Sequence, residues 1–163
     1  MWRLDRNFMG SVIISFGLAV PGLSAASAPA RVPPSWFGTW TLNVARSTYA
    51  AAAPYKRAVY RIEPAADGLR VVYDMVHPRG GTTHLEWTGR IDGRDYPLQG
   101  VDQAITYAYT SAGGDSGDIV VKIDGRVAAR SHVTVSDDGR TMTTATTAGA
   151  GGPAISTTVY ERR

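Results

Sequence analysis

The chain has 163 residues, 17 basic and 14 acidic side chains, a formal net charge of +3 and no cysteine. Disulfide staples and thiolate chemistry are excluded, so the fold must rest on burial and hydrogen bonding. The cations are almost all arginines spaced singly along the chain, not the basic stripe with interleaved aromatics that a nucleic-acid surface requires.

The N-terminus carries Arg3 and Arg6, then an apolar run from Phe8 to Val20, then Ser24-Ala25-Ala26-Ser27-Ala28. A charged start, a short apolar core and a small-residue exit predict a cleaved export signal over residues 1–28, cut after Ala26 or Ala28. The apolar run is too short to span a bilayer comfortably, so no stable membrane insertion is expected after cleavage. The expected location is the periplasm or the medium. About 130–135 residues remain, enough for one domain with one core. Residues 29–35, with Pro33 and Pro34, read as an extended lead-in to a domain over 36–163.

The stretch Trp36-Phe37-Gly38-Thr39-Trp40-Thr41-Leu42-Asn43 reads as the first strand. Gly38 lies two residues before Trp40, on the same strand face, and leaves room for its indole over the backbone. Residues 44 to 55 form a loop with at most one helical turn, because the alanine run is short and ends at Pro54. From there strands are predicted over 56–63, 69–77, 82–91, 94–98, 104–111, 118–123, 126–135, 140–147 and 154–162. Asp-Gly, the strongest short turn signal because tight hairpins need positive φ, occurs four times, at residues 67, 92, 124 and 138. No later apolar stretch has helical period and length, so the strands are sequential antiparallel neighbours. The fold class expected is all-β, an antiparallel up-and-down meander of about 8–10 strands closed into a barrel, which disposes of the sheet edges more simply than a sandwich.

Phe37-Gly38-Thr39-Trp40, the basic residue and serine at Arg46-Ser47, Asp92 to Pro97, Val135 to Thr143 and the closing Val159-Tyr160-Glu161-Arg162 together resemble the lipocalin-like domains of small exported bacterial proteins. The likeness spans most of the chain after the signal. It implies a lipocalin-like or fatty-acid-binding-like barrel in which Trp40 packs at the closed end beneath a cation, supplied by Arg162 or Arg163. Gly38, Trp40 and Arg162 then have structural roles.

Catalytic constellations are sparse. His77, His84 and Glu86 would suit a divalent metal if all shared a face. The apolar faces Leu69, Val71, Tyr73, Met75 and Thr83, Leu85, Trp87 match only across a loop of odd length, which puts His84 and Glu86 opposite His77. His132 falls on the face opposite Val127, Ala129, Ser131, Val133 and Val135, with Arg126 and Arg130. No histidine can be placed beside a serine with a third orienting group, the Gly113-Gly114 loop lacks the lysine and helix of a phosphate cradle, and no metal or cofactor is expected. The threonines after residue 140 are accounted for by strand propensity.

Tyr73, Met75, Leu85, Trp87, Tyr107 and Tyr109 fall on the more apolar strand faces. Converging, they would wall an interior for a small apolar or amphipathic molecule, and Trp87 would report its arrival. The expectation is therefore an exported, non-enzymatic binding barrel. Two other readings stay open: a protein-binding or inhibitor module presenting loops 112–117 and 148–153, and a barrel enzyme using Tyr107 or Tyr109 with Glu86.

Overall fold

The computed structural model describes residues 31–163, and the export signal predicted over 1–28 lies outside them. The strands are β1 (Gly38–Leu42), β2 (Thr48–Tyr49), β3 (Arg57–Ala65), β4 (Gly68–Val76), β5 (Thr82–Gly89), β6 (Tyr96–Gln99), β7 (Ile105–Gly113), β8 (Ser116–Ile123), β9 (Arg126–Val135), β10 (Thr141–Ala148) and β11 (Ala154–Arg162). From β3 to β11 each strand pairs antiparallel with the next. β1 pairs with β3 on one side and β11 on the other, so ten strands close into an up-and-down barrel of the lipocalin-like or fatty-acid-binding-like class. The local reason is turn chemistry. At Asp124-Gly125, φ values of 50° and 75° provide the positive dihedrals of a two-residue hairpin between Ile123 and Arg126.

The opening segment departs from the sequence reading. Trp36 lies outside the first strand, in a 3-10 turn over Pro34–Trp36 that also takes up the end of the predicted extended lead-in. Pro34 has no N–H to give to a sheet, and the Trp36 N–H bonds to the Pro33 carbonyl at 3.0 Å instead. Trp36 thereby swings beneath the barrel, its indole N–H donating to the Asp115 carbonyl at 3.1 Å. Gly117 makes the space, since a Cβ there would sit 2.6 Å from the Trp36 ring.

β1 and β2 form one interrupted strand along β11. The break is a 3-10 turn over Val44–Arg46, capped where the Asn43 side chain accepts from the Arg46 N–H at 3.1 Å. The Ser47 hydroxyl donates to the Asn43 carbonyl at 2.7 Å and accepts from the Val159 N–H at 3.0 Å, so β11 keeps a partner through the break. The single helical turn of this loop thus falls before the alanine run, not on it.

The closed end centres on Trp40, which is completely buried, paired with Arg162 across the seam and with Tyr60 on its other side. The Arg162 guanidinium lies over the Trp40 ring, 4.4 Å from its centroid. It donates to the carbonyls of Gly139 (2.6 Å), Phe37 (2.6 Å) and Ser35. The space above Gly38 is taken by this guanidinium, not by the Trp40 indole: a Cβ at Gly38 would stand 2.8 Å from Nη1, and φ there is +135°.

In β9 the expected alternation fails near the turn. A bulge at Ala128 pairs Val121 with Ala129 but Lys122 with Val127, so Val127 leaves the face that runs from Ala129 to Val135 and Arg126 leaves the face of Arg130 and His132.

Trp40→Ala should cost about 3–5 kcal/mol in urea unfolding, as a buried aromatic truncated to alanine. Arg162→Lys should cost about 1–3 kcal/mol, because a single ammonium cannot reproduce a planar fork aimed at several carbonyls while stacked on an indole. A loss below about 1 kcal/mol for Trp40→Ala, with unchanged denaturant slope, would show the closing seam to be peripheral.

Candidate functional site

A cavity of about 380 Å³ occupies the barrel above this plug. In an antiparallel meander the turns alternate between the two ends. The β3–β4, β7–β8 and β9–β10 turns lie at the Trp40 end, and the β4–β5, β8–β9 and β10–β11 turns lie around the mouth.

The inward faces of β3, β4, β7 and β11 bring Tyr60, Tyr73, Tyr107, Tyr109 and Tyr160 to the cavity. Tyr49 and Tyr55 stand near the mouth, so seven of the eight tyrosines border one space. The rings touch edge-on or tilted, as their quadrupoles favour: Tyr60 to Tyr73 at 4.7 Å, Tyr60 to Tyr160 at 4.6 Å, Tyr73 to Tyr107 at 6.2 Å. The Tyr73 and Tyr109 hydroxyls are hydrogen-bonded at 2.7 Å.

On β9, β10 and β11 the cavity is bordered by hydroxyls: Ser131, Thr144, Thr146, Ser156 and Thr158. Register accounts for the stripe, since Thr144 faces Val133 and Thr158, and Thr146 faces Ser131 and Ser156. Ser131 and Thr146 bond to each other at 2.9 Å. Ile62, Val71, Ile119, Val121, Val133 and Met142 supply aliphatic surface, and Trp36 with Leu42 closes the lower part. Ala51, Ala52, Pro54 and Tyr55 border the opening where β2 and β3 do not pair.

Of the residues expected to wall a ligand space, Tyr73, Tyr107 and Tyr109 border the cavity. Met75, Leu85 and Trp87 are buried in the same core but do not border it. Trp87 is completely buried between Tyr109, at 4.3 Å, and Tyr96, at 5.8 Å, with its N–H on the Tyr96 carbonyl at 3.2 Å. The indole that borders the cavity is Trp36. The sequence reading missed Tyr60 and Tyr160, whose inward parity was available from alternation with Ile62 and Arg162. It also missed Thr144, Thr146 and Thr158, whose face no local signal marks.

Among the described residues no charged side chain borders the cavity. Burial pushes the Tyr107 and Tyr160 phenols from the ordinary 10.0 up to about 12. It pushes those of Tyr60, Tyr73 and Tyr109 well up too, in each case as the largest cause. The wall is therefore neutral at physiological pH.

The other candidate groupings come apart. Val76 pairs with Thr82, so the β4–β5 loop has the odd length required by the apolar faces. His77 stands at the rim, its imidazole on the Thr83 hydroxyl at 2.8 Å and tilted against Tyr55 at 5.3 Å. His84 is on the outer surface, bonded to Asp74 at 2.7 Å and Glu86 at 3.2 Å, and both carboxylates raise its pKa, Asp74 the more. Glu86 also takes Arg70 at 2.7 Å, so it faces away from Tyr107 and Tyr109 and cannot serve with them as an acid-base pair. The glycine-rich loops 112–117 and 148–153, which the protein-binding reading presents to a partner, lie at opposite ends. Asp115 of the β7–β8 turn is bound by Ser35 and Trp36 at the closed end, whereas the β10–β11 turn is at the mouth.

No family model matches the chain, and no curated protein matches it in sequence.

Neutrality of the wall gives a pH dependence with a definite sign. Phenols whose folded values exceed their unfolded value stabilise the fold fully below about pH 10, and that contribution is lost as pH rises through the folded values. In an alkaline titration, phenolate absorbance from Tyr60, Tyr73, Tyr107, Tyr109 and Tyr160 should appear only together with loss of near-ultraviolet circular dichroism. Complete titration of every tyrosine while the dichroism stays native would show that the wall is accessible to hydroxide.

Proposed function

We propose that the chain is a lipocalin-like carrier, exported after removal of residues 1–28 to the periplasm or medium, that holds a small apolar or amphipathic molecule inside the barrel without catalysing its conversion. The observation that carries this reading is the cavity: about 380 Å³, sealed below by Trp36 and Leu42, and lined by apolar and aromatic surface with a few hydroxyls. That is the composition and size range of small-molecule sites. The stacking of Arg162 on Trp40 beneath it supports the lipocalin-like assignment. The outward position of Glu86 counts against the enzyme reading, since the phenols are left with no carboxylate partner.

Export has a direct check. N-terminal sequencing of protein made in its own host should begin just after Ala26 or Ala28; Met1 on protein retained in the cytosol would refute it.

Ligand binding should be read through Trp36. Protein purified from its host should release a small molecule on solvent extraction after native mass spectrometry, and refilling the emptied barrel should quench or shift indole emission. In Trp36→Phe the emission change should largely vanish while the mass shift persists. A barrel that carries nothing and saturates with no apolar probe would remove the carrier reading.

A further inference from the structure

The walls of the cavity carry more information than its size. An ionised ligand buried in such a site needs an opposite charge, because an unpaired buried carboxylate costs several kcal/mol and scattered neutral hydroxyls, two of them already bonded to each other at Ser131 and Thr146, offset only part of that. Among the described residues none of the bordering side chains is charged. The Arg162 guanidinium belongs to the plug, stacked on Trp40 and already donating to three carbonyls, and it does not border the cavity.

The donors that do face the space suit a different partner. Tyr73 and Tyr109 share one hydrogen bond, which uses one of their two hydroxyl protons; the other has no acceptor among the described residues. A buried O–H without an acceptor is unfavourable, so the pair can offer one neutral donor deep in the cavity, while the Tyr49 hydroxyl, buried without a partner, offers another nearer the mouth. Beside it Tyr60, Tyr107 and Tyr160 present ring faces and edges, which favour flat, conjugated surfaces. A volume of about 380 Å³ lies toward the small end for ligand pockets and favours a compact ring system over a long chain.

We propose that the cavity selects an uncharged aromatic or conjugated molecule whose carbonyl or ether oxygen accepts from the Tyr73–Tyr109 hydroxyl pair, and that it discriminates against ionised carboxylates, free fatty acids included. This deepens the carrier reading and rests on it.

The test uses three matched probes on the emptied, full-length mature protein by calorimetry: naphthalene, the methyl ester of naphthoic acid, and naphthoate, which is fully ionised at about pH 8. The ester should bind at least about tenfold more tightly than the anion, the gap set by desolvating a charge with no partner. The double variant Tyr73→Phe/Tyr109→Phe should weaken the ester about three- to tenfold, the worth of one neutral hydrogen bond, and leave naphthalene within about twofold, whereas each single variant keeps one hydroxyl proton to donate and should lose less. Near-ultraviolet dichroism of each variant checks that the barrel is intact. Equal affinity for ester and anion, or recovery of a carboxylic acid as the molecule retained from the host, would overturn the charge selection while leaving a carrier. Equal losses for ester and naphthalene in the double variant, or an ester affinity it leaves unchanged, would overturn the role of the hydroxyl pair. Failure of all three probes, with nothing retained from the host, would overturn the selection and the carrier reading together.

Discussion

The barrel depends on how its last strand is fastened to its first. Arg162 stands next to the C-terminus, yet its guanidinium binds carbonyls of Ser35 and Phe37 from the opening segment and Gly139 from the β9–β10 turn, with the Trp40 face beneath it. One planar cation thus joins three stretches far apart in sequence, and it fits only because Gly38 has neither a side chain nor an ordinary dihedral. Nothing local rewards this arrangement. The meander can form hairpin by hairpin, but this seam closes only when both ends of the chain are in place, which makes it a contact of the slowest, most non-local kind.

The plug also determines where the open space can be. Because Trp36 leaves the strand and lies beneath the barrel, two indoles and a guanidinium fill the lower part, and Trp87 with Tyr96 and Tyr109 fills one flank. What remains is displaced toward β9, β10 and β11, where Ser131, Thr144, Thr146 and Ser156 are too small to cross the interior. Large residues on one side and small ones on the other create the cavity jointly.

This division explains what could be read from the sequence. Asp124-Gly125 and the alternation of β4 are local signals, with a period and a turn dihedral that belong to a few adjacent residues, and they specify strand, turn and antiparallel order. The odd loop between Val76 and Thr82 followed from the same parity. Trp36 did not follow, because an aromatic before Gly38 has strand propensity and only the preceding prolines argue otherwise. The bulge in β9 left no mark at Ala128. Whether Trp87 borders space or fills it depends on the ring across from it, and the barrel brings Tyr109 there from more than twenty residues away. Threonines on either face of a strand look alike, so the hydroxyl wall emerges only from the register of β10 against its two neighbours.

The interruption between β1 and β2 has a kinetic meaning. β2 is held by β11 through two residue pairs and has no partner on its other side, while Arg57 and Ala58 at the start of β3 pair with β4 alone. The wall beside Tyr49 and Tyr55 is therefore spanned by a short segment rather than a ladder. Separating it breaks a handful of hydrogen bonds, whereas the β3–β4, β4–β5, β7–β8 and β8–β9 ladders each run over eight or nine residue pairs. Local opening of this kind lies at the low-energy end of native fluctuations. In the proposed carrier, a guest would come and go through the slit on the timescale of a loop, without release of the seam at Arg162 and Trp40.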